Sequence, residues 1–158
     1  MSDQLHPFTT QGNLRQGDWN PIANSDLTGK TGRLLKIVNK SGIVAVDLPA
    51  TKADVVTQIL VDDGAYPPDS VVGQPVTARP LSAITQGRVP VASTSAGGVS
   101  SDALVLADPT ANAGLDSGNV IKLPVASGTY FRIGYALESY VAGQLVKFTP
   151  APALVVVP

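Results

Sequence analysis

From residue 33 to the C-terminus the apolar residues come in short runs, cut every few positions by Gly, Pro, Asn or Asp. The longest unbroken aliphatic stretch is 153–157, so strands are the only regular elements most of these runs can build. Runs 33–38 and 43–48 alternate across a turn at 39–42, which is a hairpin pattern. Residues 50–60 could start a short helix with Thr51 as cap and Asp54 at its third position. Their β-branched Val55, Val56, Thr57 and Ile59 favour an extended reading instead. Further strands are expected at 71–79, 88–92, 103–106, 119–125, 130–137, 144–149 and 154–157, with polar loops at 93–101 and 108–118. Strands of this length and spacing predict an all-β fold, a small sandwich or barrel of antiparallel strands. With 15 glycines, 13 prolines and one glutamate, Glu138, the composition agrees, because a helical protein is rarely written with these residues.

Residues 1–27 show no apolar period and predict an extended N-terminal arm ahead of one β domain over 28–158. The arm's large side chains, Leu5, Phe8, Leu14, Trp19 and Ile22, are too scattered to form a core. Together with Arg15 they are the candidate contacts, lying on the folded body or anchoring on another subunit, since aromatic side chains are favoured interface anchors. The β domain carries an internal echo: VVGQPVTARPLS at 71–82 parallels VAGQLVKFTPAP at 141–152, and Ile59-Leu60-Val61-Asp62 parallels Tyr135-Ala136-Leu137-Glu138. The echo predicts two related β units, within 50–82 and 126–152.

Little in the chain suggests chemistry. There is no cysteine, and His6 is the single histidine, so thiol catalysis, disulfides and any ordinary zinc or haem site are excluded. Charged residues make up only 15%, and 11 basic residues nearly balance 12 acidic ones, which argues against binding nucleic acid or a membrane surface through charge. The N-terminus, MSDQLHPFTT, does not read as a targeting segment, and no run is long enough to span a membrane as a helix. Gly29-Lys30-Thr31 imitates the end of a phosphate-binding loop, but Asn24 stands where the leading glycine belongs, and a strand follows where a helix must begin. Leu115-Asp116-Ser117-Gly118 imitates an aspartic-protease turn and also reads as an ordinary Asx turn, in which Asn would be tolerated. Asp62, Asp63 and Asp69 lack the spacing of a calcium loop. Lys30, Arg33, Lys36 and Lys40 read as a solvated strand edge. The expected outcome is a protein without catalytic residues, cofactor or metal.

The C-terminal half carries a family resemblance. Gly134, Ala136 and Glu138, then Ala142 and Gly143 in a small-residue turn, then Val146 and Phe148 follow a pattern of the type Gly-x-Ala-x-Glu, turn, Gly-x-x-Val-x-Val. With Leu104-Val105-Leu106-Ala107-Asp108 and Lys122-Leu123-Pro124 before it, and 59–82 as an earlier strand pair, the chain resembles the capsid decoration, or cement, proteins of tailed bacteriophages. That resemblance implies a non-enzymatic virion protein, made in the host cytoplasm, that binds the major capsid protein on the outer surface of the head. It also implies a homo-oligomer, commonly a trimer, that strengthens the shell by bridging capsomers. The competing reading is a head-fibre or tail-associated adhesion or carbohydrate-binding β module, which the cluster of Tyr130, Phe131, Tyr135, Tyr140 and Phe148 would serve.

Overall fold

The computed structural model describes residues 20–61 and 72–158. In chain order its strands are β1 (Ile22–Ala23), β2 (Leu34–Lys40), β3 (Ile43–Asp47), β4 (Gln58–Val61) and β5 (Thr77–Pro80), then β6 (Gly87–Pro90), β7 (Ala103–Leu106), β8 (Val120–Lys122), β9 (Gly128–Ala136) and β10 (Leu145–Val157). They form two curled five-stranded sheets, ordered β1-β3-β2-β4-β5 and β6-β10-β9-β7-β8. The all-β expectation is met. Among the described residues the helical turns are two short 3-10 segments, Leu81–Ala83 and Ala111–Gly114.

Local chemistry sets the first sheet's hairpin. Lys40 pairs with Ile43, leaving Ser41 and Gly42 as a two-residue loop with φ of 52° and 84°. Positive φ at both positions gives the primed turn whose twist matches the strands, and Asn39 Oδ1 accepts a hydrogen bond from the Gly42 N–H. The 50–57 segment is extended apart from a turn, as its β-branched residues predict. Thr51 and Asp54 close that turn through the Thr51 hydroxyl and the Ala50 N–H, both donating to Asp54.

The period of two along each strand sends neighbouring side chains into different cores. Leu35, Val46, Leu60 and Val76 fill a small core inside the curl of the first sheet, together with Ala23 and Leu27. Their neighbours Leu34 and Ile59 turn the other way, into a larger core shared with Phe131, Ile133, Val146 and Phe148 of the second sheet. The two sheets are therefore welded by apolar packing rather than joined only by the chain.

β1 ties the first of the described residues to the sheet. Ile22 and Ala23 run parallel to Ala45 and Val46 of β3. On their other side, Pro21 and Ala23 exchange backbone hydrogen bonds with residues 73–76, so the curled sheet nearly closes on itself. Ala23 and Leu27 are fully buried. Residues 20–27 thus belong to the body, because a two-residue strand with partners on both sides and a buried leucine behind it is an integral part of the sheet.

The two stretches that echo one another occupy corresponding places. Leu60 pairs with Ala78 across β4 and β5, and the positions matching them, Ala136 and Phe148, pair across β9 and β10. Gly73 and Gly143, both at positive φ, make the turns that precede β5 and β10. The units differ after the matching prolines. Past Pro80 the chain bends into a 3-10 turn, whereas past Pro150 it bulges and continues as strand to Val157.

Candidate functional site

The sequence motifs that imitate enzymes both lie in turns. Lys30 sits in a turn closed by its own N–H onto the Leu27 carbonyl, and β2, not a helix, follows. Asp116 is buried and accepts from the Ser93 N–H and hydroxyl at 2.9 Å each, from the Thr94 hydroxyl at 3.4 Å and from Asn119 Nδ2 at 3.2 Å. Burial works against the charged form of Asp116, but these hydrogen bonds outweigh it and hold the carboxyl below its ordinary range. It clamps the 93–94 loop to the 108–119 loop. An amide at 116 would replace one acceptor oxygen by an NH2 among these groups, so Asp116 does more than shape its own turn. Among the described residues no three His, Cys, Asp or Glu side chains gather as a metal site.

The residues of the family pattern also prove architectural. A Cβ on Gly134 would stand 1.9 Å from the Thr149 carbonyl oxygen, so only glycine lets β9 approach β10 at its bulge. Ala136 faces Phe148 within the shared core. Glu138 accepts from the Lys147 N–H at 2.9 Å and from Arg88 at 3.3 Å, fastening the strand that follows the turn.

The surface best suited to a partner lies at the far end of β9 and β10. Residues 128–131 of β9 pair with 154–157 of β10 as a two-stranded ribbon extending past β7 and β6. Cross-strand partners share a face, so Leu154 lies with Phe131 and Val156 with Thr129. Leu154 is 57% and Val156 72% exposed. Their face continues into a cleft of about 330 Å³ between the two sheets, walled by Val55, Val56, Pro80, Leu81, Phe131 and Pro152. An apolar face running into a mostly apolar cleft offers area to bury and almost no charge.

Charges near the ribbon are occupied. Arg132 Nε donates to the Ala151 carbonyl at 3.0 Å, and its guanidinium lies over the Tyr135 ring. Lys52 Nζ stands 4.5 Å from the centre of the Tyr130 ring. Farther off, Lys36 and Asp54 make a half-buried ion pair at 2.7 Å. Burial opposes ionisation of Asp54, but hydrogen bonds from Lys36, the Ala50 N–H and Thr51, with the lysine's charge, bring its carboxyl down to about 2.

Of the contact residues expected from the sequence, Leu5, Phe8, Leu14, Arg15 and Trp19 lie outside the described residues. Ile22 is a half-buried member of β1. The ribbon was legible only as a strand at 154–157; its sole signal as a surface is an uncharged ALVVV run with no turn residue to break it.

No family model matches the chain, and no curated protein matches it. Among solved structures it is similar to the N base of the head fibre gp8.5 of bacteriophage phi29, with a TM-score of 0.57 at 20% identity over 85% of this chain and 92% of that one. At that identity the likeness is one of fold, and it spans nearly the whole of both chains.

Proposed function

We propose that this chain is a non-enzymatic structural protein of a phage head. The observation that carries the reading is the likeness to a head-fibre base, which takes in both sheets rather than one common hairpin. The cement-protein pattern at Gly134, Ala136, Glu138, Gly143, Val146 and Phe148 supports it from the sequence side. In finer form, the protein binds the major capsid protein on the outside of the assembled head as a homo-oligomer, a trimer at three-fold positions, and stabilises the shell by bridging capsomers. A low-charge β body with an apolar docking face suits such a task, because burial rather than salt-sensitive attraction would hold it in place. The test is co-sedimentation of the purified full chain with heads that lack it. The chain is expected to pellet with the heads and to raise the temperature at which they release DNA; recovery of all the protein in the supernatant would overturn the reading.

A second reading, the base of a head fibre, is favoured by the same likeness, since the neighbour is itself a fibre base. A fibre base would bind heads without changing their thermal release of DNA, so the same experiment separates the two.

A further inference from the structure

β1 is held on its second side by an antiparallel ladder whose register can be counted. Ile22 bridges Pro75, and the Val76 N–H donates to the Pro21 carbonyl. Pro21 has no N–H to return, and Asn20 Nδ2 reaches the Val76 carbonyl instead, at 3.5 Å. The same Nδ2 donates to the Thr77 hydroxyl at 3.0 Å. These contacts share one register, 22 with 75, 21 with 76 and 20 with 77, so the next rung sets residue 19 opposite Ala78.

The backbone of Ala78 is turned to receive that rung. Leu60, its partner across β4, directs both of its backbone groups the other way, donating to the Arg33 carbonyl and accepting from the Gly32 N–H. Leu60 and Ala78 are therefore a pair without mutual hydrogen bonds, and the N–H and C=O of Ala78 point away from β4, to the side on which the Val76 N–H meets Pro21. Among the described residues no strand lies on that side of Ala78, yet Ala78 is fully buried. Buried backbone groups are paired nearly without exception.

A side chain at this rung has a place as well. Ala23 belongs to the small core of the first sheet and Pro21 is buried, so by the period of two residue 19 is the next inward position. Ile37 and Val44 share the inward face with Leu35 and Val46 but lie past the point where β4 pairs with β2, and they stand 49% and 50% exposed. That end of the small core is thus rimmed by apolar side chains, and the described residues that fill the core include no aromatic. Residue 19 is the only tryptophan of the chain.

We infer that the segment before Asn20 continues β1 by a further rung, with the backbone of residue 19 paired to Ala78 and the Trp19 indole closing the Ile37–Val44 end of the small core. Connectivity selects the occupant. Residue 19 is bonded to Asn20, which is already fixed at Thr77, and one step of about 3.4 Å along the strand brings it opposite Ala78. Of the large side chains ahead of the described body, Trp19 then lies on the body itself and is withdrawn from contact with a head or a second copy.

The chain has one tryptophan and no cysteine, so both sides of this contact can be read in the full-length protein. Trp19 emission is expected to be blue-shifted and shielded from acrylamide, and to lose both properties in urea together with the circular dichroism signal. A nitroxide on Val44→Cys should quench it, whereas one on Val99→Cys, at a residue 58% exposed in the 93–101 loop, should not. Emission like that of the unfolded chain, or equal quenching from both labels, overturns the inference. Labelled Val44→Cys chains that also carry Trp19→Phe, mixed with unlabelled natural chains, should leave the emission unquenched; quenching in the mixture would put Trp19 on a neighbouring copy and overturns it too. Should the labelled chain not fold, Trp19→Ala decides, with a lowered urea midpoint expected and an unchanged one against the inference. None of these readouts involves heads, so a failure of the head-protein reading leaves this contact standing.

Discussion

At Asp116 one buried carboxylate gathers four donors from two loops, and its replacement tests how much of the second sheet's loop structure depends on it. Asp116→Asn removes the charge and turns one acceptor oxygen into an NH2, which leaves either the Ser93 N–H or the Ser93 and Thr94 hydroxyls without the oxygen they donate to. The expected cost is about 1–3 kcal/mol, that of a buried polar group left unsatisfied, read as a lower urea midpoint at unchanged slope. Asp54 carries the pH dependence. Its carboxyl is brought to about 2 in the folded chain, below its ordinary value, so the unfolded chain binds the proton first as pH falls. The stabilisation is complete above pH ~4 and is lost progressively between ~4 and ~2, on the order of 1–2 kcal/mol. Asp54→Asn should flatten the acid limb of a plot of stability against pH in that window.

Among the elements, the β9–β10 hairpin is held in register by an absence. Gly134 leaves room for the Thr149 carbonyl where the bulge brings the two strands together, and any Cβ must displace backbone rather than a flexible side chain. Gly134→Ala is expected to cost at the upper end of the ~1–3 kcal/mol of overpacking, seen as a lowered melting temperature. The first sheet has its own hidden dependence in β1, which contributes backbone pairing on both sides, with Leu27 buried behind it. Leu27→Ala should cost roughly 2–5 kcal/mol, a penalty that no loose terminus would show, measurable by denaturant unfolding.

For the whole molecule the shared core has the larger consequence. Leu34 and Ile59 from one sheet pack with Ile133 and Phe148 from the other, so unfolding is expected to be a single transition rather than two. A chain starting at residue 28 lacks β1 and Leu27, and both sheets should melt together at a lower temperature. A chain starting at residue 20 keeps every buried contact described for the body. Comparing the two truncations by circular dichroism and by head co-sedimentation separates folding from attachment: loss of cooperative unfolding in the longer chain would place essential packing before residue 20.

Much of the fold could be read along the chain because its signals are local. The alternation over 33–48 and the glycine at the hairpin tip dictate β2, β3 and their turn from that stretch alone, and the offset echo between 59–82 and 135–152 could be seen without coordinates. Elements whose causes are distant could not be read. β1 is two residues in a polar stretch, and it exists because β3 and residues 73–76 lie on either side of it. Residues 144–149 and 154–157 read as two strands, since prolines at 150 and 152 look like an end; pairing with β9 carries the backbone through a bulge and makes them one. The candidate surface shows the same division. The ALVVV run predicts a strand wherever it lies, but whether its side chains are buried depends on which strands come to rest beside it. In this fold β6 ends early, so among the described residues no strand lies beside that edge of β10, and Leu154 and Val156 stay exposed. Local propensity and period belong to the sequence, whereas burial belongs to neighbours that only the folded chain brings together.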